Sequence, residues 1–127
     1  MLNQSGITKV SGTAEKTIIM APELMFSVSC VVANTGLTAD SDGKKIVKAG
    51  TPLVGSLTAR NTPFTAAKAD TTTGVCGVLL HDVDVTSGNK NATAVVFGFI
   101  DKSKLDSDVV TIITGVATQL TKITFVQ

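Results

Sequence analysis

Aromatic residues are scarce in this chain, and their scarcity excludes one class of partner. Only 4% of the 127 residues are aromatic, all of them Phe, with no Trp or Tyr. Single-stranded nucleic acids are bound by stacking aromatic rings along a basic groove, and the net charge here is only +1, with the basic residues scattered. We therefore expect no nucleic-acid partner.

Charge and long apolar runs are also lacking. Charged residues make up 17% of the chain and the mean hydropathy is +0.35. No apolar run approaches the roughly 20 residues that cross a bilayer, and the first residues lack the pattern of a signal peptide. We expect no membrane partner and synthesis in a cytoplasm. The low charge predicts that a partner covers substantial apolar area.

Few residues are available for metal binding or for nucleophilic catalysis. The two cysteines, Cys30 and Cys76, lie on strand-like segments and are expected to be free buried thiols. A structural zinc site needs about four ligands, and His81 is the single histidine. No Gly-x-Ser-x-Gly motif is present. We expect no metal and no cofactor, and a strand-end His81 that bonds its neighbours or contacts another subunit or another protein.

Short β-prone segments separated by turn residues dominate residues 21–127, which we predict to be one domain. Residues 24–33 alternate in polarity as a strand does. The apolar runs at 75–80 and 94–100 are joined by a polar loop, which predicts a long-looped hairpin. Spacings of this kind are typical of an all-β barrel or sandwich.

Helix is expected only in short pieces. Asp101 is predicted to be the N-cap of a short helix, and residues 64–69 are the one alanine-containing stretch that suits a helical turn. Residues 109–113 and 122–126 are rich in β-branched side chains and are predicted to be β-prone. The fold class expected is all-β with minor short helices.

An N-terminal arm is predicted for residues 1–20. This segment is rich in Ser, Thr, Gly and Lys and has isolated apolar positions at Ile7, Val10, Ile18 and Ile19. Such a segment buries too little to fold alone. Its β-branched positions suit the addition of a strand to the exposed sheet edge of a partner, so these four residues are candidates for contact with that partner.

Asp82 and Asp84 invite an enzyme hypothesis. An apolar strand that ends in Asp-x-Asp-x-Thr resembles the nucleophile site of haloacid-dehalogenase phosphatases, which use two such acids and Mg²⁺. That site ends an early strand of a parallel α/β sheet, whereas only 41 residues follow Thr86 and amphipathic crossover helices are lacking. A weak structural cation is a further alternative. We expect both acids to face solvent, with Val83 and Val85 inward.

Three motifs carry a resemblance to a known family. They are Lys-Ala-Gly-Thr-Pro-Leu at 48–53, Gly-Val-Leu-Leu-His-Asp-Val-Asp-Val at 77–85, and Phe-Gly-Phe-Ile-Asp at 97–101 with Leu105. The stretch formed by these motifs resembles the head decoration proteins of tailed bacteriophages, the family typified by the phage lambda head decoration protein. The closing Leu-Thr-Lys-Ile-Thr-Phe at 120–125 is also similar to the way many members end.

The resemblance implies a β-tulip-like domain that forms a homotrimer on an icosahedral phage head. Such a protein binds the major capsid protein on the outside of the expanded shell, stabilises it against genome pressure and remains in the virion. In this family the N-terminal arm often docks beside capsid strands, a role that residues 1–20 suit. Activity as an enzyme is not expected. The alternatives are a phage tail or receptor-binding β module and, more remotely, a metal-dependent phosphatase using Asp82 and Asp84.

Overall fold

The computed structural model describes residues 18–126 and shows them as eight strands with one α-helix. The strands are β1 (Phe26–Val32), β2 (Ile46–Val47), β3 (Pro52–Val54), β4 (Thr65–Ala66), β5 (Val75–Leu79), β6 (Val83–Asp84), β7 (Lys90–Asp101) and β8 (Ile123–Val126). The helical elements are α1 (Ser107–Val116) and the 3-10 turns Pro22–Leu24, Lys102–Lys104 and Ala117–Gln119. The predicted all-β fold with minor short helices is confirmed.

The long strand β7 is the centre of the main sheet. The order is β1-β7-β5-β3-β4 with antiparallel neighbours, and β8 runs parallel to the end of β7. A separate ribbon pairs β2 with β6. Val78 of β5 lies opposite Val95 of β7, which confirms the long-looped hairpin.

The centre of the main sheet is buried on both faces, which explains the apolar runs in β5 and β7. Adjacent residues of a strand point to opposite faces, and here Val95 packs with the helix α1 whereas Ala94 packs with Phe64. A parallel bridge between Val32 and Phe64 draws the residue before β4 to β1. The sheet therefore curls around Phe64 but does not close into a barrel.

Residues 109–113 lie in α1, so the prediction of a β-prone segment there is wrong. Val109, Ile113 and Val116 are buried on one side of the helix at spacings of four and three, which is helical periodicity. Packing of this face against the sheet outweighs the low helix propensity of β-branched residues. Tertiary contacts therefore decide the conformation of α1.

The prediction of a helical turn at residues 64–69 is also wrong, because Thr65–Ala66 form β4. Ala66 pairs with Leu53 of β3, and Ala67 N donates to Pro52 O at 2.9 Å. The predicted cap at Asp101 is confirmed, since its Oδ1 accepts a hydrogen bond from Ser103 N at 3.0 Å.

Candidate functional site

The most prominent surface feature is a concentration of exposed apolar side chains at one end of β7. Six large apolar residues are exposed among residues 18–126, and five of them lie beside the Phe97–Phe99 stretch of β7. We call these five the apolar patch: Met20, Leu24, Phe26, Leu57 and Phe97. Single exposed apolar residues are ordinary, whereas a contiguous group marks an interaction surface.

Backbone pairing brings the members of the patch together. Phe26 is the register partner of Phe97 at a point where the register between β1 and β7 shifts, and the side chains are 60% and 47% exposed. Met20 N donates to Phe99 O at 3.1 Å. The turn Pro22–Leu24 packs over β7, because a Cβ built on Gly98 would lie 3.6 Å from the Cα of Met25.

A groove of about 520 Å³ lies within the patch. Phe26, Leu57 and Phe97 line it together with Cys76, Val96, Gln119, Leu120, Thr121, Lys122 and Ile123. The one charged residue in this lining is Lys122, which is exposed. The groove therefore suits an occupant that presents apolar side chains to its lining and a carboxylate to Lys122.

The sequence did not identify Phe26 as a surface residue. The alternation of residues 24–33 places Phe26 on the same side as Cys30, which is buried. Phe26 is nevertheless exposed, at the end of β1 where the register with β7 shifts. The sequence indicated an exposed apolar surface only through the low charge of the whole chain, which predicted that a partner covers apolar area.

Four candidate arm residues were named, and the structure describes two of them. The side chain of Ile18 is fully buried in the core next to α1, and Ile19 forms an antiparallel bridge with Ile100. Asp101 N donates to Ile18 O at 2.8 Å. Ile18 and Ile19 are therefore part of the folded domain rather than a docking arm, because their hydrogen bonds and burial are satisfied within the chain. Ile7 and Val10 lie outside the described residues.

The carboxylates of Asp82 and Asp84 accept hydrogen bonds from backbone amides. Asp82 Oδ1 accepts from Ala49 N at 2.7 Å, and Asp84 Oδ1 accepts from Thr86 N at 2.9 Å. The hydrogen bonds from the Thr86 hydroxyl and amide hold the pKa of Asp84 below its usual range. Asp82 and Asp84 are exposed while Val85 is fully buried, which confirms the expected orientation of the acids.

The other candidate groups have ordinary surroundings. Cys30 is a buried free thiol and Cys76 a half-buried one, and burial raises the pKa of both. His81 is exposed and has an interaction of its own, so its place at a subunit or capsid interface stays a prediction. Within residues 18–126, no three His, Cys, Asp or Glu side chains converge as a metal site would require. In the same part of the chain, no helix has the length and apolarity to span a bilayer.

In sequence comparisons, the chain matches no protein-family model and no curated protein. The resemblance to head decoration proteins therefore rests on the motifs at residues 48–53, 77–85 and 97–105. In the structure these motifs form β3, the β5–β6 segment, and the end of β7 with its capped turn. The third motif is part of the central strand β7, which carries Phe97 of the apolar patch, and β5 pairs with that strand.

Proposed function

We propose that this protein is a capsid decoration protein, a homotrimer that binds the major capsid protein on the outside of an expanded phage head. The observation that carries the proposal is the apolar patch, a contact surface on a domain that is poor in charge. The resemblance of the motifs to head decoration proteins is the reason for proposing the major capsid protein as the partner. A protein of this class acts in the virion by making contacts rather than by turning over a substrate.

The physical requirements of a shell clamp agree with this surface. Stable protein contacts bury apolar side chains at their centre, with polar residues around them. Many copies act together on one shell, so each contact can be modest and still contribute to a large total stabilisation. Exposed Phe26 and Phe97 at the centre with exposed Lys122 and Glu23 near the edge fit that pattern.

The position of Ile18 and Ile19 indicates how an N-terminal segment leaves the domain. These residues run antiparallel to the end of β7, and Ile18 lies beside Asp101. We propose that the segment with Ile7 and Val10 contacts the capsid protein by strand addition. In this arrangement the folded domain contacts other copies of the protein, and the N-terminal segment contacts the capsid protein of the shell.

Co-sedimentation with phage shells tests the proposal. Purified full-length protein is mixed with expanded shells that lack decoration and, in parallel, with unexpanded shells. We expect saturable binding to the expanded shells and a higher temperature of shell rupture. Failure to sediment with expanded shells from any phage whose genome encodes the protein would refute the function. The matched control is the protein without residues 1–17, which should fold and fail to bind.

A further inference from the structure

Two members of the apolar patch lie at or just before the exposed turn Pro22–Leu24, and the other three line a groove. We call Met20 and Leu24, together with the exposed Glu23 of the turn, the knob. Met20 and Leu24 are 50% and 52% exposed. The groove of about 520 Å³ is lined by Phe26, Phe97 and other residues. Both the knob and the groove contact the Phe97–Phe99 stretch of β7.

We propose that the knob of one copy of this chain occupies the groove of the next copy. This inference deepens the proposed function and rests on it, because it names the surface that would join copies of the trimer. The occupant follows from complementarity in apolar character and in charge. Apolar side chains of the knob match the apolar lining, and Glu23 of the knob is opposite in charge to Lys122 at the groove.

The size of the patch agrees with an interface between copies. A standard interface buries about 800 Å² per partner, of which somewhat more than half is apolar. Five large apolar side chains that are each about half exposed offer on the order of 400 Å² of apolar surface. The patch therefore supplies about the whole apolar share of one side of such an interface.

The contact can repeat around a rotation axis. Knob and groove are different parts of the surface, so each copy gives a knob to one neighbour and receives one from the other. Contacts of this head-to-tail kind form a closed ring when the rotation permits. In the ring, every exposed member of the patch is covered, including Leu57 at the wall of the groove.

Sedimentation equilibrium of the full-length protein over a range of concentrations tests the inference. We expect reversible association. Leu24→Ser should weaken it by at least about tenfold, as expected for an apolar anchor in an interface. The matched control is Ile46→Ser, because Ile46 is the one exposed large apolar residue outside the patch among residues 18–126, and it should leave association unchanged.

A charge exchange tests the specific pairing. Glu23→Lys and Lys122→Glu should each weaken association, and the double variant should restore it because the pair is rebuilt with opposite signs. A monomeric wild type, an equal effect of Ile46→Ser, or a double variant weaker than both single variants would overturn the inference. Circular dichroism of each variant confirms that it is folded.

Shell binding separates this inference from the proposed function. If the protein associates as described but does not sediment with expanded shells, the function fails and the interface stands. If a monomeric protein binds shells and Leu24→Ser abolishes that binding, the function stands. In that case the capsid protein, rather than a second copy, occupies the groove, and the inference is wrong.

Discussion

Gly115 of α1 lies directly against the backbone of Ala69. A Cβ built on Gly115 would be 2.8 Å from the Cα of Ala69 and closer still to its carbonyl oxygen. This close approach lets α1 pack against the loop after β4. Val116, the residue after Gly115, is fully buried. The contact therefore fixes the position of a helix whose residues favour strands.

Gly115→Ala should destabilise the protein, although Gly→Ala in a helix usually stabilises it by about 1 kcal/mol. Backbone atoms of Ala69 cannot move aside as a flexible side chain would, so we expect a loss of roughly 1–3 kcal/mol from overpacking. Chemical denaturation measures the change. The control is Thr114→Ala on the exposed face, which should be neutral or slightly stabilising. A more stable Gly115→Ala variant would contradict the close contact.

Truncation at two neighbouring points should have different effects. Removing residues 1–17 keeps Ile18 in the core, so we expect a folded domain with nearly unchanged stability. Removing residues 1–20 deletes the fully buried Ile18 and its pairing with β7, which should cost about 2–5 kcal/mol. Thermal unfolding of both proteins checks this. Equal stability of the two would show that Ile18 contributes nothing to the core.

Lys48 should stabilise the start of α1 modestly and in a salt-dependent way. Its Nζ lies 3.1 Å from Asp106 Oδ2 and 3.2 Å from Asp108 Oδ2. All three side chains are largely exposed, so Lys48→Met should cost only about 0.5 kcal/mol, and less in 1 M salt. Denaturation at low and high salt measures the difference, with Lys90→Met at the exposed start of β7 as the control.

The same cluster predicts a dependence on alkaline pH. Hydrogen bonds to Asp106 and then Asp108 raise the pKa of Lys48 above its ordinary value of 10.5. Since the folded state holds the proton more tightly, the contribution is complete below pH 10.5 and is lost as the pH rises through the raised value. The difference in stability between wild type and Lys48→Met should therefore shrink above that pH. A difference that grows there would be inconsistent with the ion pair.

The two thiols should react slowly and in a fixed order. Burial raises the pKa of Cys30 and of Cys76 above the ordinary 9.0, so the thiolate fraction near neutral pH is smaller than in a free thiol. Cys76 is half-buried and should react with a thiol reagent before Cys30. Mass spectrometry of peptides at successive times gives the order, and the unfolded protein is the control. Faster labelling of Cys30 would contradict its burial.

Much of the sheet could be predicted from local pattern, and the parts that could not depend on long-range packing. The runs in β5 and β7 are apolar throughout because both faces of the sheet are covered, so their strand character was visible in the sequence. The β-branched residues of α1 have the same local signature. Burial of Val109, Ile113 and Val116 against the sheet, together with the contact of Gly115 with Ala69, makes this segment a helix rather than a strand.

The apolar patch was visible only as a general excess of apolar residues. Phe26 has the alternation of a buried strand residue, yet it is exposed at the end of β1, where the register with β7 shifts. Ile18 sits in a polar segment and could not be separated from the arm, because its burial depends on hydrogen bonds to the end of β7. Registers and edge pairings of this kind are set by the whole fold, so no local pattern specifies them.

The most direct test of the central claim is the location of the protein on the virion. Cryo-electron microscopy of virions that carry the protein, compared with virions lacking its gene, shows where density is lost. We predict loss of trimeric density from the outer surface of the head, at three-fold and quasi-three-fold positions. Unchanged head density with a loss at the tail would contradict the account and favour a tail or receptor-binding module.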